Sequence, residues 1–104
     1  MKKDIIHTGH EDGSVRRFLM SNPEGLHMRP STRLARELSL NGIIPDEVFL
    51  VHGEQEESAS GGIRLVELGI HNGDYFDVHV TSDLTDEQKT IVWKICDKLC
   101  RPHE

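Results

Sequence analysis

The chain is organised around one stretch, Asn22-Pro23-Glu24-Gly25-Leu26-His27-Met28-Arg29-Pro30-Ser31-Thr32-Arg33-Leu34-Ala35. Pro23 and Gly25 are typical of a loop. Small and apolar residues then recur at helical spacing, at Ser31, Leu34, Ala35 and Leu38. Pro30 fits the first turn of that helix, where its missing N–H leaves no helical hydrogen bond unmade. The stretch therefore predicts a loop followed by a helix, with His27 at or next to the N-cap.

His27 would then lie beside a site for an anion. The first N–H groups of the helix, those of Met28 and Arg29, lack acceptors within the helix, and the positive end of the helix dipole lies there. The guanidinium of Arg29 adds a fixed positive charge that suits phosphate oxygens. A neutral imidazole is a nucleophile, so the arrangement is typical of a group that carries phosphate. Spacing alone leaves open that His27 is only a polar loop residue that caps the helix.

The residues Gly25-Leu26-His27-Met28-Arg29-Pro30 resemble the active-site motif of HPr, the histidine-containing phosphocarrier of the bacterial phosphotransferase system. The family pattern is Gly, an apolar residue, His, any residue, Arg and Pro, and the resemblance extends over residues 15–100. It implies an α+β fold, an open-faced two-layer sandwich with a four-stranded antiparallel sheet and three helices on one face, in the order βαββαβα. It implies no metal and no other cofactor for the carrier.

The resemblance also implies a function. His27 would accept a phosphoryl group on Nδ1 from phosphorylated enzyme I, which derives it from phosphoenolpyruvate, and pass it to IIA-type domains. Arg29 and the backbone amides of Met28 and Arg29 would hold the phosphate. Such a protein is a carrier intermediate rather than a stand-alone catalyst. It serves sugar transport or a nitrogen-type regulatory branch, and the sequence leaves the branch open.

Two rival functions stay open beside the carrier. The first is a regulatory binding module of the same fold that uses the same surface without phosphoryl transfer. The second is a hydrolase with His27 as general base, although no second catalytic group forms a readable constellation with it. Replacement of His27 by alanine would leave the binding module almost intact and would abolish the carrier.

Apolar periodicity and turn residues predict the same order of elements. Strands are expected at 15–21, 47–52 and 75–80, and helices at 27–41, 63–68 and 86–100. A further strand at 55–59 is expected from the family pattern alone. Thr85 and Gln88 are spaced as a capping box for the last helix. Three histidines, His52, His71 and His79, and the acidic run 54–57 are expected at the surface, the acidic run at a solvated sheet edge.

Size and composition fit a single small domain of 104 residues. Residues 1–14 are predicted to be a polar N-terminal extension and residues 15–101 the HPr-like domain. The net charge of −6 argues against binding to nucleic acid. No apolar run approaches the ~18 residues needed to insert into a membrane, and no secretory signal is apparent. We expect a cytoplasmic monomer in which Cys96 and Cys100 are reduced thiols. His7 and His10 are too few to predict a metal site.

A partner-binding surface and a regulatory residue are also expected. In proteins of the HPr family the short second helix lies beside the histidine, which implies that Met28, Ile63 and Val66 form an apolar docking patch. The alternative is that Ile63 and Val66 belong to the core. Some family members carry a regulatory serine at the start of this helix. An ungapped match to the family places Gly61 at that position, and a one-residue insertion places Ser60 there. Ser60 is therefore the candidate, with an HPr kinase or another regulator as partner, or else it caps the helix.

Glu24 departs from the family pattern, which often has Asn or Ser there, and Met28 is bulkier than the usual small residue. A carboxylate about 6 Å from a bound phosphate would repel each unit of its charge by roughly 0.7 kcal/mol even in water. The helix N-terminus typically stabilises an anion by about 0.3–1 kcal/mol. If Glu24 faces the site, we therefore expect it to offset the help of the dipole and to leave Arg29 as the main stabiliser.

Overall fold

A computed structural model describes residues 15–102 of the protein. Its strands are β1 (Val15–Leu19), β2 (Val48–His52), β3 (Gln55–Ser58) and β4 (Tyr75–Val80), and its helices are α1 (Met28–Leu40), α2 (Ile63–Val66) and α3 (Asp86–Cys100). A 3-10 turn, Pro45–Glu47, precedes β2. The predictions for the N-terminal extension, including those for His7 and His10, lie outside the described residues.

The four strands form one antiparallel sheet in the order β1-β4-β2-β3. Phe18 on β1 lies opposite Phe76 on β4, and Leu50 on β2 lies opposite Val78 on β4. The predicted βαββαβα order and the α+β fold class are confirmed. The strand expected from the family pattern alone is β3, and it lies at one edge of the sheet.

The three helices cover one face of the sheet and bury a mainly aliphatic core. The largest fully buried side chains are Phe76, Met20, Leu34, Leu38, Ile43, Leu50, Leu65, Ile70, Val48, Val78, Val80 and Val92. Aromatic rings close one end of this core, because the ring of Phe18 lies 6.0 Å from that of Phe76 and 6.3 Å from that of Trp93. Burial of these apolar side chains is the main stabilising contribution to the fold.

The ends of the long helices follow the capping signals in the sequence. The Thr85 hydroxyl accepts from the Gln88 N–H at 3.1 Å, and the Gln88 side chain accepts from the Thr85 N–H at 2.9 Å, which is the predicted capping box. Gly42 follows the last turn of α1 with φ 76°, a conformation that glycine adopts without strain.

Both cysteines are free and buried, in agreement with the reduced thiols expected. They lie one helical turn apart on α3 and contribute to the core. Burial raises the pKa of the Cys96 thiol, and it raises the pKa of the Cys100 thiol to about 12. Both groups are therefore neutral packing side chains at physiological pH, since the reactive form of cysteine is the thiolate.

Two of the surface expectations are wrong. His79 is only 3% exposed and Glu56 only 7% exposed. His79 does lie on the outward face of β4, but β4 is a central strand, so Val15 on β1 and Phe49 on β2 flank it in register. Glu56 lies beside Val51 on the same face. The alternation of residues along β4 predicted correctly which face of the sheet His79 lies on, but it did not reveal how far neighbouring residues bury that face.

Candidate functional site

His27 is the N-cap of α1, with φ −122° and ψ −168°. Its carbonyl oxygen accepts the first helical hydrogen bond from the Ser31 N–H, at 3.0 Å. Pro30 has no N–H, so the N–H groups of Met28 and Arg29 are the helix donors left without a helical acceptor. The predicted position of His27 at the start of a helix is confirmed, and these two amides mark the positive end of the α1 dipole.

Asn22 shapes the loop that leads to His27. It is buried, and its Oδ1 accepts a hydrogen bond from the Glu24 N–H at 3.0 Å while its carbonyl oxygen accepts from the Gly25 N–H at 2.9 Å. An Asn that bonds the backbone two residues further along forms an Asx turn. This role of Asn22 was not predicted from the sequence, although Asn followed by Pro is a known signal for the start of a turn.

The loop is attached to the segment before β4 by a close backbone approach. The Leu26 N–H donates to the Ile70 carbonyl at 2.9 Å. Gly25 has φ +68°, and a Cβ at this position would lie 2.7 Å from the Ile70 oxygen and 3.1 Å from the His71 Cα. Only glycine fits, because other residues meet both the strained φ and a backbone that has little room to move.

A second attachment joins the loop to the end of α3. The Ser21 N–H and the Ser21 hydroxyl both donate to the Cys100 carbonyl oxygen, each at 2.9 Å. The last carbonyls of a helix lack helical donors, so these bonds satisfy one of them. Together with the bond of Leu26 to Ile70, they fix both ends of the loop before His27.

Glu24 contacts the imidazole of His27. Its Oε1 lies 2.9 Å from Nε2, and the exposed fractions of the two side chains are 38% for His27 and 74% for Glu24. The carboxylate thus faces the ring at the nitrogen remote from Cβ. Nδ1 is the other ring nitrogen, the one on which the family resemblance implies a phosphoryl group.

Arg29 is exposed, and within residues 15–102 its side chain makes no ion pair. It begins a line of exposed arginines on α1, continued by Arg33 and Arg36, at spacings of four and three residues that put side chains on one side of a helix. These three residues line a shallow pocket together with Thr32, Glu37 and Leu40. An acidic chain therefore presents a local positive surface that starts next to His27.

The three residues expected to bind partners differ in exposure. Met28 is 47% and Ile63 62% exposed, whereas Val66 is half-buried. Leu65, which lies between Ile63 and Val66 in the sequence, is fully buried and supplies the core contact of α2. Ile63 is therefore not a core residue, contrary to the alternative considered for it.

Ser60 does not cap α2, because the N-cap is Gly62. The Ser60 hydroxyl instead donates to Asp46 Oδ1 at 2.6 Å, and the Ser58 hydroxyl donates to the same oxygen at 2.7 Å. The hydrogen bond from Ser60, followed by that from Ser58, lowers the pKa of the Asp46 carboxyl. The sequence did not reveal this cluster, because Asp46 and Ser60 are far apart in the chain.

Within residues 15–102, His52 and His71 contribute no second site. The imidazole of His71 is largely exposed, as expected, and Nδ1 of His52 lies 2.7 Å from the Leu68 carbonyl oxygen. Within residues 15–102 no group of three His, Cys, Asp or Glu residues is arranged to hold a metal ion. In the same part of the chain, no helix combines the length and apolarity needed to cross a membrane.

Comparison with known proteins identifies the fold. Neither a family profile nor a curated protein matches the sequence. Among solved structures, the histidine-containing phosphocarrier protein of Mycoplasma superimposes with a TM-score of 0.68 at 16% identity, over 83% of this chain and 96% of that one. The chain has the HPr fold. An HPr-C-His protein from Thermoanaerobacter tengcongensis gives a TM-score of 0.66 at 15% identity, over 82% of this chain and 92% of that one.

The close approach at Gly25 can be tested by paired substitutions. Gly69 has nearly the same φ, +70°, but no atom lies within 4 Å of a Cβ built there. Gly69→Ala should therefore lower the free energy of unfolding by about 1–2 kcal/mol, the usual cost of a left-handed conformation. We expect Gly25→Ala to cost measurably more in urea denaturation, because it also displaces the Ile70 backbone. Equal losses for the two variants would contradict the account of this loop.

Proposed function

We propose that this protein is a phosphocarrier, which takes a phosphoryl group on Nδ1 of His27 from phosphorylated enzyme I and donates it to IIA-type domains. The observation that carries the proposal is His27 as the N-cap of α1, beside the two amides of Met28 and Arg29 that lack helical acceptors. The HPr fold supports the proposal as a whole. The acceptor domains belong to sugar uptake or to a nitrogen-type regulatory branch of a cytoplasmic phosphotransferase system.

The proposed chemistry assigns each group a task. The neutral imidazole attacks phosphorus, and the amides of Met28 and Arg29 donate to the phosphoryl oxygens. The Arg29 guanidinium, exposed and without an ion pair within residues 15–102, adds charge complementarity. Electrostatic stabilisation of the transferring group by fixed donors is usually the largest contribution in phosphoryl transfer. The carrier needs no cofactor in this scheme.

The partners of the proposal would dock on the surface around His27. Met28 and Ile63 offer exposed apolar side chains, and Arg33 and Arg36 offer positive charge for an acidic partner surface. Successive donor and acceptor complexes must dissociate quickly, which favours small interfaces of this kind. Ser60 stays the candidate for modification by a kinase. A phosphate there would face Asp46, so like-charge repulsion would rearrange the hydroxyl cluster.

The first test is intact-mass spectrometry after incubation with enzyme I and phosphoenolpyruvate. The wild-type protein should gain one acid-labile phosphoryl group, and His27→Ala should gain none. His71→Ala is the matched control, because it removes an exposed histidine on the neighbouring segment, and it should be phosphorylated like the wild type. Absence of any gain, on folded protein and with several enzyme I homologues, would refute the carrier and favour the non-transferring binding module.

The second test addresses the docking surface. Ile63→Glu should raise the KM of enzyme I for this protein by about tenfold, since losing an apolar contact of ~1.5 kcal/mol and burying a charge both weaken the complex. Ile44→Glu is the control, because Ile44 is the same residue type, is 63% exposed against 62% for Ile63, and lies at the N-cap of the 3-10 turn before β2, not among the residues of this surface. Equal effects of the two substitutions, or none from Ile63→Glu, would exclude α2 from the interface.

A further inference from the structure

We infer that Glu24 is a positioning residue for His27, which holds the neutral imidazole in the tautomer that carries its proton on Nε2. The contact that supports this is the 2.9 Å approach of Glu24 Oε1 to Nε2. The consequence for phosphoryl transfer rests on the proposed function, whereas the tautomer is a property of the protein alone. Glu24 is thereby a support for the reaction at Nδ1 rather than a hindrance to it.

The position of Glu24 follows from the loop. The Asx turn of Asn22 holds the Glu24 backbone through the bond from its N–H to Oδ1. The side chain then reaches the ring three residues further along. The attachment of Leu26 to Ile70 fixes the chain between the two residues. The backbone geometry that places His27 at the N-cap therefore also brings the Glu24 side chain within reach of the ring.

The contact selects a tautomer because the two atoms have unlike roles. An ionised carboxylate has only acceptor oxygens, and a neutral imidazole has one N–H and one lone pair. An oxygen 2.9 Å from Nε2 repels a lone pair on that nitrogen and attracts a proton there. The proton consequently resides on Nε2, and the lone pair resides on Nδ1. A buried acid plays the same orienting part for the histidine of hydrolytic triads.

The same contact helps during the proposed transfer. The Nδ1 lone pair forms the bond to phosphorus while the bond between phosphorus and the donor atom breaks, and that electron pair leaves with the donor. The imidazole keeps its Nε2 proton and gains positive charge, which the Glu24 carboxylate offsets. On transfer to the acceptor the Nδ1–phosphorus bond breaks, and its electron pair returns to the ring. No proton has to move to or from Nδ1 in either direction.

In this role Glu24 favours phosphorylation of His27, whereas the repulsion expected from the sequence would disfavour it. A carboxylate that mainly repelled the phosphate would reduce the phosphorylated fraction, and its neutralisation would speed phosphorylation. The structure places the carboxylate at Nε2, whereas the phosphoryl group of the proposed reaction is on Nδ1. The substitution Glu24→Gln, which removes the charge and keeps the shape, therefore discriminates the two effects by the direction of the change.

The first experiment reads the tautomer by ¹⁵N NMR of the ring nitrogens at a pH where His27 is neutral. In the wild type Nε2 should show the shift of a protonated nitrogen and Nδ1 that of an unprotonated one. In Glu24→Gln both shifts should move toward the average of the two tautomers. Glu87→Gln, an equal charge change at the N-terminus of α3, should leave them in place. A proton on Nδ1 in the wild type, or no change in Glu24→Gln, would overturn the inference.

The second experiment measures reactivity with two donors. With enzyme I, Glu24→Gln should slow phosphorylation by about two- to fivefold, the range expected for an exposed charged contact, and Glu87→Gln should not. With phosphoramidate, a small phosphoryl donor, ³¹P NMR should show Nδ1-phosphohistidine in the wild type and added Nε2-phosphohistidine in Glu24→Gln. Faster phosphorylation of the variant, or unchanged rate and site, would refute the positioning role. If enzyme I does not phosphorylate the wild-type protein but phosphoramidate does, the proposed function is refuted. The phosphoramidate result then still decides the role of Glu24.

Discussion

The position of His27 depends on one backbone contact, the approach of Gly25 and Leu26 to the Ile70–His71 segment. The hydrogen bond from the Leu26 N–H to the Ile70 carbonyl and the absence of a side chain at Gly25 bring the loop onto the segment before β4. This contact places His27 at the start of α1, where the first backbone N–H groups have no helical acceptors. Because both partners in the contact are backbone, the geometry is set more rigidly than side chains on an exposed loop could achieve.

Groups of opposite charge lie near His27. Two amides without helical acceptors and the Arg29 guanidinium offer positive potential at the start of α1, and the Glu24 carboxylate offers negative potential at Nε2. In the proposed transfer, the carboxylate at Nε2 would compensate the positive charge that the imidazole gains when Nδ1 attacks phosphorus. Met28 and Ile63, the apolar residues of the proposed docking surface, are exposed, and the His27 side chain is partly exposed.

Local patterns predicted most of the helices and strands and the place of the histidine, because those features depend on residues close in sequence, whereas β3 was expected only from the family resemblance. The capping box at Thr85 and the proline in the first turn of α1 each determine structure within a few residues. The features that sequence missed depend on distant partners. The burial of His79 requires knowing that β4 is central, and the bond of Ser60 to Asp46 joins a loop to a 3-10 turn. Neither leaves a periodic signal.

The most direct test of the central claim is an ¹H–¹⁵N correlation spectrum before and after phosphorylation, on protein whose phosphorylation is established by mass. If the N-terminus of α1 holds the phosphoryl group, the amide protons of Met28 and Arg29 should move strongly downfield as they donate to its oxygens. The amides of Asp86 and Glu87, at the N-terminus of α3, should stay in place. Unchanged amides at Met28 and Arg29 in the phosphorylated protein would contradict the account.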